Sequence, residues 1–177
     1  MKIKVALLFF ALIISTTSCE DLLTVTLDAE FDSGINAEST GQQLEALALK
    51  SASSDYTFSG DDVVNLADDE DIVEYIEKIK SISITAIECE IFGIPEGEKI
   101  ENLKIMIDGT SFMPEYSDIT SENNVITILV ESSVLDEVET YFEENHMLKT
   151  MISGSTTAPM SLTVNIKYVT KIKADPL

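Results

Sequence analysis

The sequence contains no tryptophan and no arginine, one histidine and only two cysteines. Each scarcity closes off a class of function. One histidine and two cysteines, widely separated in sequence, make no His/Cys cluster of the kind that holds zinc. Without tryptophan a sugar-binding surface loses its usual platform, which leaves Tyr56, Tyr116, Tyr141 and Tyr168 as candidate stacking rings. All 11 basic residues are lysine, against 32 acids, for a net charge of −21. Binding to phosphate backbones through counterion release needs clustered Lys or Arg, so this field excludes a nucleic-acid partner. The same field repels anionic lipid headgroups, so contact with a membrane has to come from something other than a basic patch.

Hydrophobic runs are also short. The longest near the N-terminus is Val5 to Ile14, ten uncharged apolar residues preceded by Lys2 and Lys4. About 20 apolar residues are needed to cross a bilayer, so this run is too short for a mature anchor. A basic start, a short apolar run and a small-residue exit (Ser15 to Ser18) are the parts of a secretory signal peptide over residues 1–18. Cys19 follows at once. Ser18–Cys19 resembles the cleavage site of the lipobox of bacterial lipoproteins, although Thr16 stands where that family usually has leucine. The resemblance implies that the Cys19 thiol takes a diacylglycerol and that cleavage after Ser18 makes Cys19 the new N-terminus. Membrane attachment would then run through acyl chains, two or three of which hold firmly where one holds marginally. The acidic pair Glu20–Asp21 resembles the start of surface-exported lipoproteins of the Bacteroidota, and the whole order of segments is similar to small envelope lipoproteins of that group. The implied location is the outer membrane, at the cell surface or on its periplasmic face. The plain alternative is an ordinary secretory peptide cut elsewhere.

Loss of residues 1–18 takes the net charge from −21 to −23 and leaves 159 residues, enough for one domain with a real core. With Cys19 acylated, Cys89 has no partner for a disulfide and reads as a small buried hydrophobe.

Alternation carries most of the remaining information. Leu23, Val25, Leu27, Ala29 and Phe31 alternate with polar residues and predict a strand close to Cys19. Residues 32–54, with Gly34, Gly41 and the ambiguous run Leu44 to Leu49, read as a loop. The expected division is therefore an anchored strand and loop at 19–54 and a folded domain at 55–177. Tyr56 and Phe58 begin a short strand that ends at Ser59–Gly60. Ile72, Ile76 and Ile79 fall on one helical face and predict a helix over 68–80, capped by Asp68 or Asp69, with Lys78 and Lys80 at its far end.

Residues 81–92 predict a strand with a fault. Ile82 and Ile84 have one parity and Ile87, Cys89 and Ile91 the other, so an extra residue near Ala86, a β-bulge, is needed to return both sets to one face. Leu103, Ile105 and Ile107 form the next strand, closed by the turn dipeptide Asp108–Gly109. Val125 to Val130 is apolar at nearly every position and predicts a central strand covered on both faces. A second helix is expected over 133–145, with Ser133 and Asp136 as a capping box and Leu135, Val138 and Phe142 as its buried stripe. Strands follow at 148–152 and, alternating cleanly, at 160–172. About seven strands and two short helices point to a mainly β fold, a β-sandwich of immunoglobulin-like shape; a single-sheet α+β domain is the alternative.

No catalytic constellation emerges. His146 sits at the end of the second helix, where capping or a surface role suits it better than catalysis, and no nucleophile–base pair stands near it in sequence. Ser153-Gly154-Ser155 lacks the Gly-x-Ser-x-Gly elbow. Asp61–Asp62 and Asp68–Asp71 are rich in oxygen ligands of the kind calcium takes, but they lack the EF-hand spacing, and capping and solubility account for them. The expectation is a non-enzymatic, lipid-anchored envelope protein without cofactor or metal, binding an envelope protein or joining an assembly. The alternative is a small-ligand module for a glycan or calcium.

Overall fold

A computed structural model of the chain describes residues 24–41 and 56–176. Ser18, Cys19, Leu23 and the ambiguous run at 44–49 lie outside the described residues. Among the described residues nine strands form: β1 (Val25–Glu38), β2 (Thr40–Gly41), β3 (Tyr56–Asn65), β4 (Ile79–Phe92), β5 (Ile100–Ile107), β6 (Glu115–Ile119), β7 (Val125–Thr127), β8 (Met147–Thr156) and β9 (Ser161–Ala174). One α-helix, α1 (Ser132–Asn145), lies between β7 and β8. Two antiparallel sheets result, ordered β1-β9-β4-β7 and β2-β3-β8-β5-β6.

The pairing has a simple logic. Around the β5–β6 hairpin the strands pair outward in turn, β4 with β7, β3 with β8 and β1 with β9. A long antiparallel ribbon is thus rolled into two layers, with β9 meeting β4 and β8 meeting β5 where the roll closes. This is the jelly-roll arrangement of a β-sandwich. In an immunoglobulin domain the first two strands are neighbours, whereas here the first strand lies beside the last.

Between the sheets the inward residues of β9 (Leu162, Val164, Ile166, Tyr168, Ile172) share one core with those of β4 and β5, all nearly free of solvent. Fully burying such a side chain contributes about 1.5–3 kcal/mol. The parity change in β4 is resolved as expected. Ile84 pairs with Thr170 and Ala86 with Val169, so Thr85 is the extra residue and its hydroxyl bonds to the Val169 carbonyl at 3.1 Å. Ile82, Ile84, Ile87, Cys89 and Ile91 then all face the core.

Several expectations are corrected. β1 runs on through Ser33 and Gly34 to Glu38, in register with β9 over all 14 residues. Residues 25–38 therefore belong to the sandwich, which does not begin at 55. β3 continues past Gly60 to Asn65 because β8 pairs with it along its whole length. The helix expected over 68–80 is replaced by two 3₁₀ segments, Leu66–Asp68 and Val73–Lys78. Ile79 already pairs with Ala174, so sheet formation takes over the last turn such a helix would need. Asn65 rather than an aspartate caps the first segment, its side chain accepting from the Ala67 amide at 2.9 Å. Only one of the two expected helices is an α-helix. It starts at Ser132 with Glu131 as N-cap and no side-chain cap, so the Ser133–Asp136 capping box does not form. Val138 and Phe142 are fully buried and Leu135 is partly so, and Phe142 meets Phe31 edge-on at 5.6 Å. Finally, Val125–Val130 is not central: β7 is a three-residue edge strand, with Val125 64% and Leu129 84% exposed.

Candidate functional site

Three acids of α1 are hydrogen-bond acceptors for the rest of the fold. Beyond β7, the edge of β4 would present bare amides to solvent. Glu143 accepts from the Ile82 amide at 2.6 Å and Glu139 from the Ile84 amide at 2.7 Å. One helical turn apart, the two carboxylates match the two-residue step of the strand. Glu137 accepts from the Ser111 amide at 3.1 Å and from its hydroxyl. Burial raises the Glu139 carboxyl above its ordinary range, opposed by the Ile84 bond and reinforced by Asp136 and Glu143.

His146 has a backbone role. It is the left-handed cap of α1 (φ 57°); its amide donates to the Phe142 carbonyl at 2.9 Å and its carbonyl accepts from the Leu66 amide at 3.0 Å. It ties the helix end to the first 3₁₀ segment. Ser153 and Ser155 are half-buried in β8, and the glycine between them is required by packing. A Cβ on Gly154 would sit 2.1 Å from the Asn102 carbonyl oxygen and 2.6 Å from the Phe58 ring, which lies across that strand.

The aspartate clusters are largely spoken for. Asp62 accepts from the Gly34 amide at 2.9 Å, joining β3 to β1, and Asp61 pairs with Lys149 at 3.3 Å. Asp69 accepts from the Asp71 amide at 2.9 Å. Among the described residues no three His, Cys, Asp or Glu side chains form a metal-binding group. Asp69, Glu70, Asp71, Glu74 and Asp28 instead border an open groove of about 600 Å³ between the start of β1 and the 3₁₀ segments. Of the four candidate tyrosines, Tyr168 is excluded as a stacking ring. It is fully buried, its hydroxyl bonded to Thr150 at 2.7 Å, and burial drives its pKa well above the usual phenol range. Cys89 is buried, with its thiol pushed up to about 12 by desolvation, so it is inert as a nucleophile.

The outer face of the first sheet is charged in stripes. Lys167, Lys171 and Lys173 stand on the central strand β9, with Asp28, Glu30 and Asp32 on β1 and Glu88 and Glu90 on β4. Lys167 bonds Glu30 at 2.9 Å and is held further toward its charged form by Asp32 and Glu88.

Sequence reasoning missed the exposed β7 edge. Val125 and Leu129 are the most exposed large apolar side chains described. Beside Leu129, Ile84, Ala86, Ile128, Val130 and Leu135 line a recess of about 150 Å³. The available signal was the absence of any charge from Asn124 to Val130, which suits a buried strand and an unprotected edge equally.

No family model matches the chain, and no curated protein matches it significantly. Among solved structures it is similar to a chain of Desmodium yellow mottle tymovirus, with a TM-score of 0.37 and 10% identity over 86% of this chain and 90% of that one. A likeness at that level carries no argument.

Proposed function

We propose that this protein is a lipid-anchored component of the bacterial cell envelope that works by binding another protein rather than by catalysis. The observation that carries the reading is the basic, apolar and small-residue leader ending at Cys19, with the sandwich beginning six residues later at Val25. Six residues span at most about 20 Å, so the anchor would hold the jelly roll close to the bilayer. Acyl chains supply the attachment that an acidic surface cannot. Supporting the non-catalytic part, Cys89 is buried, and the contacts of Glu137, Glu139 and Glu143 are structural.

Replacing Cys19 with alanine is expected to release the protein from the membrane fraction, and retention there would refute the anchor. Crosslinking in intact cells is expected to recover a specific protein partner; repeated recovery of the monomer alone would refute the binding role.

A further inference from the structure

We propose that the free edge of β7 receives an extended segment of a partner protein as an added strand, and that this segment is apolar along its middle and basic at its ends. The proposal rests on the protein-binding reading above and names its surface. On its inner side β7 is bound to β4: the Ile91 amide donates to the Asn124 carbonyl and the Ile128 amide to the Ile87 carbonyl, both at 2.9 Å. Backbone groups alternate in direction along an antiparallel strand, so those of Val125 and Thr127 face away from β4. Sheet edges are commonly blunted by charge, proline or cover, and nothing of that kind occurs between Asn124 and Val130. Among the described residues cover stops short of it as well, because Glu139 and Glu143 of α1 serve only the neighbouring stretch of β4.

The chemistry of the rim selects the occupant. Val125, Thr127 and Leu129 are exposed and share one parity. The recess beside Leu129 has room for an apolar side chain. On the outer face Glu90 stands beside Val125 and Glu88 beside Thr127, and Glu131 lies just beyond at the start of α1. An apolar strip within an acidic rim favours a strand flanked by lysine or arginine. It disfavours a second copy of this chain, which would bring the same acids to the contact.

The test uses the natively produced protein and two synthetic peptides, KTVTVTVTK and its acidic counterpart ETVTVTVTE, with binding followed by fluorescence anisotropy. The lysine-ended peptide is expected to bind saturably, to weaken as salt rises, and to bind at least tenfold tighter than the glutamate-ended one. Val125→Lys and Leu129→Lys, both at exposed positions, are each expected to lose at least tenfold in affinity while melting like the parent. Thr127→Pro, which removes only an outward-facing amide, is expected to do the same. Equal binding of the two peptides, or unchanged binding by Val125→Lys, would overturn the proposal. So would a concentration-dependent dimer that Val125→Lys dissolves, since the occupant would then be a second copy. A partner recovered by crosslinking in cells with a yield indifferent to Val125→Lys would overturn the edge and leave the envelope reading standing. Recovery of no partner at all would instead count against that reading.

Discussion

The first sheet ends in two outer strands, β1 and β7, built on opposite plans. β1 has 14 residues, exposes Asp28, Glu30 and Asp32 on its outer face, and has the amide of Gly34 taken by the Asp62 carboxylate of β3. β7 has three residues, bears no charge, and leaves Val125 and Leu129 in solvent. Charge and a side-chain acceptor make β1 a poor template for foreign strands, whereas β7 has neither protection. Among the described residues, a fold that covers β4 with a helix and guards β1 with carboxylates leaves one short stretch of this sheet open. On the proposal above, binding falls to β7 and stability to β1 and β9.

That division can be tested by mutation. The largest effect is expected at β9, which holds β1 in place. Ile166→Asp puts an unpaired charge between Ser33 and Cys89 in the core and should cost about 4 kcal/mol or more, enough to unfold most of the chain in a urea titration. For β1, the β3 substitution Asp62→Ala should cost about 1 kcal/mol and speed hydrogen exchange at the Gly34 amide, because that amide loses its acceptor. Ser33→Ala should act in the opposite direction. The Ser33 hydroxyl is buried and makes no hydrogen bond among the described residues, so its removal should stabilise by about 1 kcal/mol, read as a higher melting temperature. On β7, Val125→Lys and Leu129→Lys should change stability by less than about 0.5 kcal/mol, the usual range for surface positions.

The smallest effect concerns the helix that guards β4. The Glu139 pKa is raised in the folded state, so its protonated form is favoured by folding; that contribution is complete below the ordinary glutamate pKa and is lost as pH rises through the folded value. Glu139→Gln keeps an acceptor for the Ile84 amide without the charge. It should melt slightly above the parent at pH 7, and the two should converge in acid. An advantage that persists at low pH would assign the effect to packing instead.

The same contrast shows what could be read from residue order. Strand β9 was legible because Leu162, Val164, Ile166 and Tyr168 alternate without interruption, and the Thr85 bulge because Ile84 and Ile87 have opposite parity. The second half of β1 was not legible, since Ser33 and Gly34 break the apolar alternation although Ser33 is buried. Ile72, Ile76 and Ile79 satisfy a helical spacing, yet Ile79 is drawn into β4 by a partner 95 residues away, Ala174. An apolar run such as Val125–Val130 reads alike for a central strand and a bare edge, because periodicity reports side-chain faces and not the number of neighbouring strands. Pairing of β1 with β9 depends on contacts across nearly the whole chain, which no local pattern encodes. Of the site residues, Cys19 lies outside the described residues and rests on its leader alone, while the β7 edge became visible only once the sheets were ordered.

Intact-mass spectrometry of the natively produced protein tests the central claim most directly. The account predicts a chain that begins at Cys19 and carries the added mass of a diacylglycerol with or without a further acyl chain. A mature N-terminus at any other residue, or a Cys19 bearing no lipid, would contradict it.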